Sequence, residues 1–107
     1  MREYNKLVRD KIPGLIQAEG RRVNYRVLGP EEYEDALRLK IVEEAIEVRY
    51  ASTEDKLIEE LADLITAYET FIALHGWKPR KIHKVAKAKA KARGDFSKRY
   101  YLTTVEE

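Results

Sequence analysis

Apolar positions recur at helical spacing along two long stretches of this chain. Residues three and four apart lie on one face of a helix, so each stretch predicts an amphipathic helix whose apolar face packs against a partner. The first apolar face comprises Leu37, Ile41, Ala45 and Val48, and the second comprises Leu57, Leu61, Leu64, Ile65, Tyr68 and Ile72.

Glycine, proline and capping residues mark where helices begin and end. Proline is favoured in the first turn of a helix, because N–H groups there have no acceptor within the helix and the N–H that proline lacks is not needed. We predict four helices: one capped by Asp10 and ending at Gly20, one from Gly29-Pro30 to about Tyr50, one capped by Ser52 or Thr53 and continuing to about His75 before Gly76, and one from Pro79 to Gly94.

The second and third predicted helices are joined by a short turn at residues 51–53. Two long amphipathic helices with so short a connection are antiparallel neighbours. The chain has no internal repeat and no linker-like stretch. We therefore predict an all-α fold, an antiparallel helical bundle of about four helices, in a single domain over residues 1–107.

Two segments show β-branched and aromatic residues in rough alternation instead, at residues 21–28 and 99–105. Such alternation is typical of strands. A two-stranded ribbon is only marginally stable alone, so it would have to lie on the helices. These segments predict a small two-stranded β ribbon.

Composition limits the chemistry more than it limits the fold. The 107 residues are 44% hydrophobic, which is enough for a core, and the net charge of +2 indicates no particular partner. Without cysteine there is no disulfide, thiolate nucleophile or cysteine zinc site. The two histidines, His75 and His83, lack the spacing of a zinc motif, so any metal must be held by oxygen.

Neither a signal peptide nor a membrane span is evident in the pattern. The first fifteen residues carry charge without an apolar run, and no segment approaches the roughly 20 apolar residues of a membrane span. We therefore expect a cytoplasmic protein with no membrane partner.

Charge is distributed unevenly along the chain. Residues 31–63 are strongly acidic, whereas residues 78–99 are strongly basic, with Asp95 as the single acid among them. One half could therefore hold a cation and the other an anion.

Two carboxylate pairs have helical spacing within the acidic half. Glu44 and Glu47 point the same way, as do Glu60 and Asp63, because residues three apart differ by about 60° around the axis. The antiparallel hairpin brings the two pairs level. Like charges about 4 Å apart repel by roughly 4 kcal/mol at an effective dielectric near 20.

Two interpretations of these pairs remain open at this point. Proton uptake or a bound cation would relieve the repulsion, and oxygen donors favour magnesium, manganese or calcium. Alternatively, the acids form a solvated helix face with partners such as Lys40 for Glu44.

Three motifs extend the pattern over nearly the whole chain. The chain opens with YNKLVRDKIP at residues 4–13 and closes with K-x-x-x-R-G-D-F-x-x-R at residues 89–99. Between them, Glu43-Glu44-x-x-Glu47 is followed by Glu60-x-x-Asp63. This arrangement resembles the MazG-like all-α nucleoside triphosphate pyrophosphohydrolases, and within them the phosphoribosyl-ATP pyrophosphohydrolase-like group. Asp95 stands where that group commonly has a second glycine.

The resemblance implies a magnesium-dependent enzyme, with manganese as a substitute. It would hydrolyse a nucleoside triphosphate between the α- and β-phosphates, releasing a monophosphate and pyrophosphate. Carried over by position, the magnesium ligands are Glu44, Glu47, Glu60 and Asp63. The catalytic candidates are Glu43, as an acceptor for the proton of the attacking water, and Glu47.

The resemblance also implies cationic groups that contact the phosphates of the nucleotide. The alternative for each of them is ordinary surface charge. The candidates are Lys6 and Arg9 from the opening motif and Lys89, Arg93 and Arg99 from the closing one.

Other functions are also compatible with the sequence. Within the enzyme class, the alternative is hydrolysis of phosphoribosyl-ATP in histidine synthesis. The basic fourth helix could bind nucleic acid, although it lacks the interleaved aromatic residues that stack on bases. A non-enzymatic helical interaction module is the third alternative. A homodimer or dimer of dimers is expected of the family, so only metal-dependent turnover separates an enzyme from a module.

Overall fold

The protein is all-helical in the computed structural model, which describes residues 2–106. The helices are α1 (Ile12–Ala18), α2 (Pro30–Tyr50), α3 (Glu54–Leu74) and α4 (Pro79–Arg93). The predicted all-α class with four helices is confirmed. Within the described part of the chain, none of these helices is long and apolar enough to cross a lipid bilayer. Residues 1 and 107, the ends of the predicted domain, lie outside the described residues.

The chain divides into two compact units. The first lies within Met1–Gly76 and contains α1, α2 and α3, whereas the second lies within Trp77–Glu107 and contains α4. The acidic motif belongs wholly to the first unit, and the closing motif belongs to the second. The organisation of residues 1–107 as a single functional domain stays a prediction.

The ends of α2 and α3 follow from their flanking residues, as the sequence predicts. Pro30 stands in the first turn of α2, directly after Gly29. The Thr53 hydroxyl oxygen accepts a hydrogen bond from the Lys56 backbone N–H at 3.2 Å and so caps α3. Gly76 follows α3 with a φ of 69°, a left-handed conformation that favours glycine.

The predicted cap of α1 is wrong. Lys11, not Asp10, is the residue before the helix, and no side chain caps its first turn. The Ile12 backbone N–H donates instead to the Arg9 carbonyl at 3.0 Å, so a backbone turn satisfies this end. The helix also ends at Ala18, two residues before Gly20.

The core of the first unit lies between α2 and α3, which are the helices in extensive contact. Its buried apolar residues are Leu37, Ala67 and Ile72. Near the start of α2, a Glu34 carboxylate oxygen lies 2.8 Å from Nε2 of His75, which directly follows α3. This pairing of opposite ends confirms the predicted antiparallel hairpin.

The apolar faces of the hairpin are only partly buried. Leu57, Leu61 and Ile65, which the helical spacing predicts to pack inward, are 37–55% exposed. Ala45 on α2 is exposed as well. In the single chain these positions stay partly open because α2 covers only one side of α3, so what packs against them stays a prediction.

A second row of apolar residues runs along the opposite side of α2. Its members recur three or four residues apart and are 52–70% exposed. Their spacing gathers them on one narrow face of the helix. We call this row the α2 stripe, and its residues are Leu39, Val42, Ile46 and Tyr50.

The predicted β ribbon is not present. Within residues 2–106, neither residues 21–28 nor residues 99–105 form a strand. The side chains that would have formed its apolar face are open to solvent, with Val27 90%, Tyr100 88% and Leu102 79% exposed. Alternation alone does not stabilise a two-stranded ribbon, which needs a covered face.

Candidate metal centre

Three carboxylates from the two packed helices converge near the middle of the hairpin. Glu44 comes from α2, whereas Glu60 and Asp63 come from one face of α3. One carboxylate oxygen from each lies within 4.8 Å of the other two. We call these three residues the acidic trio. The short connection between the helices sets the register that brings them level.

Glu44 is the buried member of the trio, at 8% exposure. Burying a carboxylate is costly unless a counter-charge accompanies it. Lys40, one turn earlier on α2, provides that charge, because its Nζ lies 3.5 Å from a Glu44 oxygen and 3.6 Å from a Glu43 oxygen. The same helix therefore supplies both the buried carboxylate and its counter-charge.

Glu60 experiences the repulsion of the cluster directly. Partial burial raises the pKa of the Glu60 carboxyl above its ordinary value, and the charges of Glu47, Asp63 and Glu44 raise it further. The Lys56 ammonium opposes this rise in pKa only weakly, as the last of the contributions. The cluster therefore holds more negative charge than its neighbours neutralise.

The raised pKa of Glu60 predicts a pH dependence of stability without metal. A carboxyl whose pKa is higher in the folded state contributes stability that is full below its unfolded value of 4.5 and is lost as the pH rises through the folded pKa. Glu60→Gln has no carboxyl at this position, so its stability does not fall in this way. In EDTA, the free energy of unfolding by urea, relative to that of the parent protein, should therefore increase for the variant as the pH rises from 4 to 8. An equal difference at every pH would contradict this expectation.

Asp63 holds a different partner, from the N-terminal segment. The Arg9 guanidinium donates to Asp63 Oδ1 at 2.6 Å and to the Thr66 hydroxyl oxygen at 3.4 Å. Because the Thr66 hydroxyl proton is donated to the Ala62 carbonyl at 3.0 Å, its oxygen is free to accept from Arg9. Arg9, a predicted phosphate ligand, thus lies against a predicted metal ligand.

Glu47, the fourth predicted metal ligand, lies outside the acidic trio. It is exposed, and with Glu60 it lines an open depression of about 210 Å³ at the turn of the hairpin. The charge of Glu47 nevertheless acts on Glu60. Its roles in metal binding and in catalysis stay predictions. The depression is completed by Tyr50, Ala51, Ser52 and Lys56.

Glu43 and Lys6, two of the remaining predicted site residues, have other partners within the first unit. Glu43 pairs with Lys40, and the Lys6 ammonium lies 5.9 Å from the centre of the Tyr4 ring. Lys89, Arg93 and Arg99 belong to the second unit. Phosphate binding by Lys6 and by these three residues, and proton transfer by Glu43, stay predictions.

The closing motif forms a defined turn in the second unit. The Asp95 carboxylate accepts hydrogen bonds from the Ser97 backbone N–H at 2.9 Å and from the Ser97 hydroxyl at 2.7 Å. These bonds lower the pKa of Asp95. Arg99 follows in a left-handed conformation with a φ of 60°. The Asp95 carboxylate therefore stabilises the turn.

The acidic trio could hold a small divalent cation. Magnesium binds oxygen at about 2.0–2.1 Å, so its ligand oxygens lie about 3 Å apart when they are adjacent and about 4.2 Å apart when they are opposite. The trio's oxygens lie within 4.8 Å of one another, so side-chain rotation would have to bring them closer around one ion. Three carboxylates without nitrogen or sulfur donors suit magnesium, manganese or calcium.

Two residues that shape the site were not among the predicted site residues. Lys40 has a signal in the sequence, because it lies three and four residues before Glu43 and Glu44, but that spacing is equally typical of a solvated surface. Thr66 has none. It is three residues beyond Asp63, and only the approach of Arg9, 57 positions away, gives its hydroxyl a role.

Comparison with known proteins identifies no function. No family model matches the chain, and no solved structure matches it. An uncharacterized protein of Mycolicibacterium smegmatis is 48% identical to this chain over 54 residues, which cover 50% of the chain and 55% of the relative. The match thus extends over about half the length of each protein.

Proposed function

We propose that this protein hydrolyses a nucleoside triphosphate between its α- and β-phosphates in a magnesium-dependent reaction. The observation that carries the proposal is the convergence of Glu44, Glu60 and Asp63, whose oxygens lie within 4.8 Å of one another. These three acids occupy the positions at which the sequence resembles the MazG-like pyrophosphohydrolases. Nucleotides and magnesium meet in the cytoplasm, which we propose as its location.

The acidic trio would hold the cation, with Glu47 completing the set from the edge of the depression. When bound, magnesium would neutralise phosphate charge and lower the pKa of water. Water would add to phosphorus as the bond to the bridging oxygen breaks, so that pyrophosphate leaves. The proton of the water would pass to a carboxylate, Glu47 or Glu43. Glu47 is the more accessible of the two, since Glu43 is paired with Lys40.

Cationic side chains would hold the phosphate groups. Arginine suits this role because its planar guanidinium can make two parallel hydrogen bonds to phosphate oxygens. Arg9 is supported by its position beside the trio. The other proposed phosphate ligands are Lys6, Lys89, Arg93 and Arg99.

The decisive experiment identifies products from a panel of substrates. The protein is incubated with magnesium and with canonical, deoxy and damaged nucleoside triphosphates, and with phosphoribosyl-ATP. Monophosphate with pyrophosphate from a triphosphate supports the proposal, whereas turnover of phosphoribosyl-ATP alone assigns the enzyme to histidine synthesis. Diphosphate with phosphate contradicts the assigned bond, and no turnover on any substrate contradicts an enzymatic role.

We also propose that the protein is a homodimer or a dimer of dimers. Among the described residues, only Leu37, Ala67 and Ile72 are buried apolar side chains. The α2 stripe and the exposed apolar residues of α3 form contiguous surfaces of the kind that protein interfaces cover. Self-association would remove this apolar area from water.

A further inference from the structure

The contact between Arg9 and Asp63 assigns a second role to the N-terminal segment. Arg9 precedes α1, in a segment without regular structure, and its guanidinium reaches a side chain 54 positions away. Thr66 supplies a second acceptor one turn along α3. The segment thus brings a positive charge to the cluster that is proposed to hold the cation.

The guanidinium and a divalent cation compete for the same negative charge. A cation bound by the trio would stand within a few ångströms of the guanidinium and repel it. Binding of the cation therefore favours departure of Arg9.

The pair is suited to such an exchange because it is only partly buried. The side chains of Arg9 and Asp63 are 55% and 39% exposed. Ion pairs at this degree of exposure are weak, and a multivalent competitor can displace them. A deeply buried pair would instead resist displacement.

We propose that Arg9 is the counter-ion of the acidic trio in the metal-free protein. A divalent cation displaces Arg9 from Asp63, and the guanidinium then becomes available to the polyphosphate of the substrate. This inference rests on the proposed function for its second step. The released guanidinium would exchange the Asp63 carboxylate for phosphate oxygens that arrive with the cation. The preferred ligand is therefore a magnesium-bound polyphosphate, because its phosphate oxygens replace the Asp63 carboxylate as the partner of Arg9.

The test measures the affinity of the protein for Mg²⁺ or Mn²⁺ by calorimetry, in the absence of nucleotide. Arg9→Gln removes the competitor, so we expect the cation to bind about two- to five-fold more tightly than in the parent protein. Arg21→Gln is the matched control, because it removes an equal charge from an exposed ion pair with Glu19 at 3.2 Å and should leave the affinity unchanged.

Two further variants separate competition from damage to the fold. Thr66→Val removes the second acceptor of Arg9 and leaves Asp63 in place, so we expect a smaller gain in cation affinity. Arg9→Lys keeps the charge and should stay close to the parent protein. Cation alone should also increase hydrogen exchange of the Ile12 backbone amide, which donates to the Arg9 carbonyl at 3.0 Å in the parent protein, and it should do so far less in Arg9→Gln.

Turnover supplies an independent readout. Arg9→Gln should raise KM for the nucleotide while it binds the cation more tightly, a pair of opposite changes that a misfolded variant would not show. Equal or weaker cation binding by Arg9→Gln would overturn the exchange and leave the metal centre standing. No cation binding by the parent protein at millimolar Mg²⁺ would overturn the metal centre and the exchange together.

Discussion

Glu60→Gln is expected to lower kcat/KM for magnesium-dependent nucleotide hydrolysis by about 100-fold or more. The substitution preserves the length of the side chain but removes one of the three charges that the trio offers to the cation. Cation binding should weaken. The metal-free protein should keep its helices, because the substitution removes the carboxylate whose pKa is raised by partial burial and by the charges of Glu47, Asp63 and Glu44. Steady-state kinetics and circular dichroism measure the two effects.

The neighbouring residue provides the matched control for this experiment. Glu59 is on the same helix, is 67% exposed in its side chain, and pairs with Lys56 at 3.6 Å outside the trio. Glu59→Gln should therefore stay within about two-fold of the parent protein. Equal losses in both variants would indicate a general charge effect. Full activity in Glu60→Gln would refute the assigned ligand.

Ile46→Glu is expected to dissociate the proposed oligomer, raising its dissociation constant by about 100-fold or more. Ile46 lies in the middle of the α2 stripe and is 53% exposed in the single chain. A carboxylate there would lose its water in an apolar interface without gaining a partner. Sedimentation velocity over a concentration series would measure the change.

An added negative charge elsewhere in the first unit controls for net charge. Gln17 is exposed and lies on α1, outside the α2 stripe, so Gln17→Glu should associate like the parent protein. If the parent protein is already monomeric at micromolar concentration, self-association is refuted. If Ile46→Glu associates as strongly as the parent protein, the α2 stripe is not the interface.

The sequence predicted a cluster of four carboxylates, of which Glu47 lies outside the acidic trio. The other three could be predicted because helical spacing and one short connection bring them together. Helical spacing places Glu60 and Asp63 on one face, and the three-residue connection sets the register that brings Glu44 opposite them. The caps and stops that delimit α2 and α3 are also local. The resemblance to the pyrophosphohydrolases added roles for these residues, which await the substrate experiment.

The features that could not be predicted depend on contacts between distant parts of the chain. The Arg9–Asp63 pair joins a segment without periodicity to a helix, and no spacing rule connects them. Helical periodicity identified the apolar face of α3 but not what covers it, so it could not show that Leu57, Leu61 and Ile65 stay 37–55% exposed in the single chain. The ribbon prediction was wrong for a related reason, since alternation describes a face without supplying a partner.

The division of the acidic trio between α2 and α3 has a consequence for how the protein could be studied. A cation held by both helices would act as a removable cross-link, so its binding free energy would add to the folding free energy. At a cation concentration 100 times the dissociation constant, this linkage amounts to about 2.7 kcal/mol. The melting temperature would then rank magnesium, manganese and calcium by fit, and the ionic preference of the site would be known before its nucleotide is.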